Sequence, residues 1–292
     1  MKNFIVRTIT GIIFVAAIVS CFLNPIAMVV LFALVTGLTV WEFTGIVNEH
    51  VAATTLNRVI CTVAGVWFFL AMFGFCWGIV NSAVFLVYLF TIMYLVISEL
   101  YLKHENPINN WAYTMLSQMY VALPIAMIPV LAFTGSSDGQ IYFNALLPLS
   151  VFVFLWMSDT GAYCVGSLIG KHKLFPRVSP GKTWEGSIGG GLLVLVAAGA
   201  IGYLDNMLIA DIDHPHFFGN AVLPLWQWLG LGLVVCVFGT WGDLVESLFK
   251  RTIGVKDSGN ILPGHGGMLD RFDSALMAFP AAVIYIYTLS LL

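Results

Sequence analysis

From Phe4 to Leu23 the chain carries a single charged residue, Arg7, and runs of this kind recur along its whole length. An α-helix rises about 1.5 Å per residue and the hydrocarbon core of a bilayer is about 30 Å thick, so about 20 apolar residues suffice to cross it. Nine runs qualify, over residues 4–23, 26–47, 59–80, 82–102, 111–133, 147–169, 187–204, 222–242 and 272–291. Breaks such as Asn24-Pro25 and Gly135-Ser136-Ser137-Asp138-Gly139 separate them. Backbone in lipid must satisfy its own hydrogen bonds, and runs of this length do so as helices. The expected fold is all-α, a polytopic membrane helix bundle of about nine transmembrane helices. Composition agrees, since 60% of residues are hydrophobic and 9% charged, too few charges to cover a soluble domain. The first run lacks a small-residue cleavage site and leads straight into a second apolar run, so it reads as a span and not as a signal peptide. Cys21, Cys61, Cys76, Cys164 and Cys236 are scattered singly through apolar stretches, with no metal-ligand spacing, and read as small core residues.

Cytoplasmic loops hold the excess of Lys and Arg. Threading nine spans places Lys2, Arg7, Arg58, Lys103, Lys171, Lys173, Arg177, Lys182, Lys250, Arg251, Lys256 and Arg271 on one side, and these are all 12 basic residues. The opposite loops hold Asp138, Asp205, Asp211 and Asp213. This predicts a cytoplasmic N-terminus and an external C-terminus. Both long polar loops, 170–186 and 243–271, then face the cytoplasm, so chemistry is sought there. The chain divides into N-terminal membrane helices, 1–140, and a catalytic membrane domain, 141–292. With a net charge of −3 and no large basic tail, it does not read as a nucleic-acid binder.

Residues 243–273 concentrate five acids, four basic groups and five glycines in a chain otherwise almost uncharged. If the eighth helix persists, Asp243, Glu246, Ser247 and Lys250 share one face at i, i+3, i+4 and i+7. The loop from Lys256 to Gly267 has glycines that free the backbone to offer N–H groups to phosphate oxygens. It ends at Asp270-Arg271-Phe272-Asp273, whose carboxylates stand three residues apart at the start of the ninth helix and are expected to converge. Carboxylate sites of this kind select Mg²⁺, which binds through one or two carboxylates plus substrate phosphates.

Ser247, Lys250-Arg251, Lys256-Asp257, Pro263, His265-Gly266-Gly267, Asp270-Arg271 and Asp273 resemble the signature of the phosphatidate cytidylyltransferases. Ser158-Asp159-Thr160-Gly161-Ala162-Tyr163 and the stretch Ser179 to Gly186 are also similar to that family, so the resemblance covers roughly 156–273. The first five spans match it in hydropathy alone. The resemblance implies transfer of CMP from CTP to phosphatidic acid, releasing pyrophosphate, in a bacterial-type inner membrane. For that reaction, catalytic roles are expected of Asp243, Asp270, Lys250, Arg271 and Asp273, with Mg²⁺ on Asp243 and Asp270. Substrate contacts would come from Asp159, Ser179, Lys182, Ser247, Arg251, Lys256, Asp257, His265, Gly266 and Gly267. A second cation, K⁺, is implied, with Asp273 and Ser247 as additional ligands, and so is a homodimer.

Several residues need separate weighing. Gly181-Lys182-Thr183 looks like the end of a Walker A loop, but Pro176 stands where its first glycine belongs, and the loop joins membrane helices. Lys182 reads equally well as a phosphate ligand and as a positive-inside anchor. Asp159 falls well inside the sixth span, where an ionisable group points to function, unless the helix ends near Met157. Glu42, between Trp41 and Phe43, reads as an interfacial residue. His265 suits either a ligand contact or a structural turn. His214 and His216, with Asp211 and Asp213, lie in an external loop and read as solvated.

Three other functions fit less well. A CTP-dependent lipid kinase would use a related loop but release CDP. A CDP-alcohol phosphotransferase needs aspartates four apart and an Asp-Gly-x-x-Ala-Arg element, which is absent. A transporter places its polar groups near the midplane between repeated halves, whereas these collect on one face.

Overall fold

The computed structural model describes residues 2–135, 139–208, 223–259, 261 and 266–291. Among these, eight helices are long and apolar enough to cross a membrane, and Thr8–Cys21 forms a shorter apolar helix. The chain is an all-α integral membrane protein with little sheet. Its helices follow the apolar runs to within a few residues, except that the eighth continues well past its run.

Asparagine explains several helix starts. Helix α1 covers Lys2–Cys21 and α2 Pro25–His50, and between them Asn24 Oδ1 accepts the Ile26 N–H at 2.8 Å. Asn57 caps α3 (Arg58–Cys76) through the Ile60 N–H at 3.0 Å, and α4 spans Val84–Leu102. Asn106 caps α5 (Pro107–Leu116) through the Asn109 N–H at 3.0 Å. Proline follows the cap in α2 and α5, at the position where an amide would have no intrahelical partner.

The chain divides into two compact units. The first comprises residues 1–142 and 250–272 and contains α1 to α5. Its fifth span is not one regular helix. After α5 come a π-helical turn at Ser117–Ala122 and two short helices, α6 (Leu123–Ala126) and α7 (Ile128–Ala132). Pro124 and Pro129 each remove a backbone donor here, which accounts for the breaks. Gln118, buried in the π turn, donates Nε2–H to the Cys61 carbonyl at 3.0 Å and so ties the turn to α3. Strand β1 (Phe133–Gly135) follows and pairs with β2 (Ile141–Phe143). Phe272 packs edge-on against Phe14 and Phe32, with ring centroids 5.8 and 6.3 Å away.

The second unit comprises residues 143–249 and 273–292. Helix α8 (Leu146–Ile169) leads into a hairpin of β3 (Lys173–Phe175) and β4 (Ser179–Thr183), then into α9 (Trp184–Leu208). The hairpin is antiparallel, Lys173 opposite Thr183, so the polar loop expected at 170–186 contains a two-stranded sheet and ends in the first turn of α9. Helices α8 and α9 approach to backbone contact. A Cβ on Gly161 would stand 2.8 Å from the Gly189 carbonyl oxygen, and one on Gly190 would stand 2.6 Å from that of Ser158. Small residues are what permit such approach between helices in lipid, where packing replaces the hydrophobic effect. Asp205, expected in an external loop, instead ends up buried on α9 and accepts the Trp228 indole N–H at 3.2 Å. Trp228 belongs to α10 (Leu225–Thr252), which carries the eighth span ten residues beyond 242. A four-residue helix, α11 (Leu269–Phe272), precedes α12 (Ala275–Ser290). Phe279 of α12 packs on Phe152 of α8, centroids 5.0 Å apart.

Candidate active site

A polar cleft of about 440 Å³ opens in the second unit, lined by Ser158, Asp159, Ser167, Lys182, Ser187 and Thr240 among others. The hairpin delivers Lys182 to it. At the hairpin's base, Thr183 Oγ1 accepts the Gly186 N–H at 3.1 Å and caps α9. Glu185, in the first turn of α9, accepts the backbone N–H of Lys171 and of His172 and pairs with the His172 ring. Both ends of the hairpin are therefore fastened to α9. Gly181-Lys182-Thr183 lies within β4 and does not wrap a phosphate-binding turn, so the likeness to a Walker A loop ends at three residues.

Helix α8 does not end near Met157. It runs unbroken through Asp159, which is exposed where the cleft opens against α8. Opening onto a cleft lowers the desolvation cost of a carboxylate at that position in the span. Lys182 Nζ stands 2.6 Å from Asp243 Oδ2, and Ser247 Oγ donates to Asp243 Oδ1 at 3.1 Å. The i, i+4 pairing of Asp243 and Ser247 is the helix-face relation expected from the sequence, made real because α10 persists. Glu246, on the same helix, is fully buried.

A second cluster lies in the first unit. Lys250 Nζ donates to Asp270 Oδ1 at 2.6 Å. Asp270 Oδ2 accepts the amides of Ser258 and Gly267, each at 2.8 Å, while its own amide donates to Ser258 Oγ at 3.3 Å. Glu42 completes this network and corrects the interfacial reading. It is 7% exposed, and its Oε2 accepts the Leu269 amide at 2.9 Å and the Ser258 hydroxyl at 3.3 Å. The first amides of a helix have no partner within it, and here Glu42 and Ser258 serve those of α11 from elsewhere in the chain. Gly266 has φ +83°, and a Cβ there would fall 2.4 Å from Asp270 Oδ2, so only glycine suits the turn. The sole hint of Glu42 in the sequence was a carboxylate within an apolar run; its partners lie more than two hundred residues away.

The two ion pairs differ in kind. Lys182 and Asp243 are 25% and 27% exposed, and partly exposed pairs contribute about 0–1 kcal/mol, so Lys182 can exchange its carboxylate for a phosphate at small cost. Lys250 and Asp270 are 11% and 7% exposed, where removing one partner costs about 3–5 kcal/mol. The first pair is free to work; the second locks a loop.

Other candidates sit as follows. Arg251 is exposed and donates to the Val255 carbonyl at 3.2 Å. Lys256, Asp257 and Arg271 are exposed. Asp273 does not share a helix with Asp270, because the chain turns at 273–274, between α11 and α12, and Asp273 Oδ1 accepts the Ser274 amide. Ser179 is half-buried at the start of β4 and is not part of the cleft wall. Gly267 is buried. His265 and the His214–His216 group lie outside the described residues.

Among the described residues no group of three or more His, Cys, Asp or Glu side chains is placed to hold a metal. Asp243 suits Mg²⁺ nonetheless, since that ion needs one or two carboxylates and takes its remaining ligands from phosphates and water. It is a quarter exposed beside the cleft lysine. Asp270 has both oxygens engaged by donors already.

A sequence profile of the cytidylyltransferase family matches residues 5–289. Over 178 residues the chain is 40% identical to a phosphatidate cytidylyltransferase of Staphylococcus aureus (strain COL). Similar proteins of that name from Staphylococcus saprophyticus and Staphylococcus epidermidis are each 39% identical over the same length. These matches span 61% of this chain and 60% of each relative. A profile that runs almost from end to end takes in the helices of both units as well as the cleft, and on that ground the chain belongs to the cytidylyltransferase family.

Proposed function

We propose that this chain transfers the cytidylyl group of CTP to phosphatidic acid, forming CDP-diacylglycerol and pyrophosphate in phospholipid biosynthesis. One observation carries the reading: an exchangeable lysine–carboxylate pair, Lys182 and Asp243, beside a polar cleft of a lipid-embedded helix bundle. The name shared by the relatives supports it.

The lipid phosphate needs no general base. A phosphate monoester has a second pKa of about 6 and is largely ionised at neutral pH. One of its oxygens forms the bond to the α-phosphorus of CTP, and the bond from that phosphorus to the β-phosphate oxygen breaks. The barrier is anion–anion repulsion, several kcal/mol per pair of unit charges at about 4 Å and an effective dielectric constant of about 20. Lys182 turns from Asp243 to the triphosphate and offsets this charge. Mg²⁺, when bound, would neutralise phosphate oxygens, with Asp243 as the carboxylate that holds it and its remaining ligands drawn from phosphates and water. Threading the apolar runs puts all 12 basic residues on one side, which supports a cytoplasmic site, and the family resemblance supports a homodimer as the working assembly.

Purified protein supplied with CTP, Mg²⁺ and dispersed phosphatidic acid should yield CDP-diacylglycerol and pyrophosphate in equal amounts. Asp243→Asn and Lys182→Met should each lower turnover about a hundredfold or more, the scale of losing a preorganised charge at the reacting phosphates. Release of CDP in place of pyrophosphate would make the protein a lipid kinase. Near-normal turnover by folded Asp243→Asn would remove that residue from the mechanism.

A further inference from the structure

An apolar groove of about 650 Å³ runs between α2 and α3 within the first unit. Ala33, Gly37 and Trp41 form its α2 wall, and Thr62, Val66 and Leu70 its α3 wall. The α3 residues follow one another at i, i+4 and i+8, a single row along the helix face. One more turn back along that row stands Arg58, the first residue of α3. The groove therefore has a cation at one end and hydrocarbon along the rest.

Arg58 is held in place without being neutralised. Its Cζ lies 4.0 Å from the centroid of the Trp41 ring, and Nη2 donates to the Trp41 carbonyl at 3.0 Å. Among the described residues it forms no ion pair, and its Nε is buried without a hydrogen-bond acceptor. A guanidinium with donors to spare binds phosphate through paired N–H bonds. Length points the same way. From Arg58 to Leu70 the helix rises about 18 Å, close to the roughly 15 Å of hydrocarbon in one bilayer leaflet.

We propose that this groove binds one acyl chain of an anionic glycerophospholipid from the surrounding leaflet, with the lipid phosphate on Arg58. A helix from a second copy of the chain is the competing occupant. An apolar helix face would cover the guanidinium without supplying an anion, leaving a charge desolvated at a cost that a phosphate removes. The proposal is independent of the chemistry at the Lys182 cleft, and its test does not read activity.

The full chain, delipidated in detergent, would be titrated with dioleoyl phosphatidylglycerol and separately with dioleoyl phosphatidylcholine, and retained lipid counted by native mass spectrometry. Neither probe is the proposed substrate. The wild type should hold phosphatidylglycerol at least fivefold more tightly than phosphatidylcholine. Arg58→Gln should abolish that preference, and Arg58→Lys should keep part of it. Ala33→Phe, which fills the groove from α2, should cut phosphatidylglycerol retention at least fivefold while leaving the melting temperature near wild type. Should one arginine variant fail to fold, the Ala33→Phe arm decides alone. Unchanged retention in Ala33→Phe, or a shift from dimer to monomer with lipid content intact, would overturn the proposal.

Discussion

Removing the Glu42 carboxylate would strand the Leu269 amide and the Ser258 hydroxyl, both of which it accepts from a buried position. A buried donor left without a partner costs about 1–3 kcal/mol. Glu42→Ala should therefore lower the thermal unfolding midpoint in detergent, and Glu42→Gln, which keeps an acceptor oxygen, should lose less. The residue scale also separates two lysines that look alike in the chain. Lys182 is one of a partly exposed pair beside a cleft, whereas Lys250 lies buried against Asp270. Nothing in their sequence neighbourhoods ranks them, because burial is set by residues far along the chain. Asp243, Ser247 and Lys182 were all identifiable from spacing and resemblance, but Glu42 was not, since its partners come from the end of a loop 216 to 227 residues away.

The contact between α8 and α9 holds the cleft in shape. Gly161, Gly189 and Gly190 allow these helices to touch backbone to backbone, and Lys182 is delivered from the hairpin that joins them. A side chain at Gly190 has nowhere to go, as a Cβ would already lie 2.6 Å from the Ser158 carbonyl oxygen. Gly190→Val should cost about 1–3 kcal/mol by overpacking, and should lower turnover together with the melting temperature. Gly191, whose nearest neighbour for a Cβ is Cys236 Sγ at 3.9 Å, should accept alanine with little change in either measurement. Gly186, Gly189 and Gly190 follow closely on the Lys182 stretch in the chain. In α9 they serve helix packing, a use that appears only when the partner helix is known.

At the scale of the whole molecule, the spans predict a topology that can be read directly. Single cysteines introduced at Lys103 and Lys173 in a background lacking the native five should label from the cytoplasmic side of intact cells or oriented vesicles, and one after Leu291 from the opposite side. Labelling of Lys173 from outside would reverse the assignment. The approximate positions of the apolar helices and the concentration of charge near residues 243–273 follow from the sequence by itself, because in lipid the length and polarity of a segment dictate whether it crosses. The tertiary structure alone decided which charges meet. It paired Lys182 with Asp243 and Lys250 with Asp270, buried Glu42 beneath a distant loop, and interrupted the helix between Asp270 and Asp273. The physical reason is range: hydropathy is a local property summed over about 20 residues, whereas an ion pair or a trans cap depends on where two remote segments come to rest.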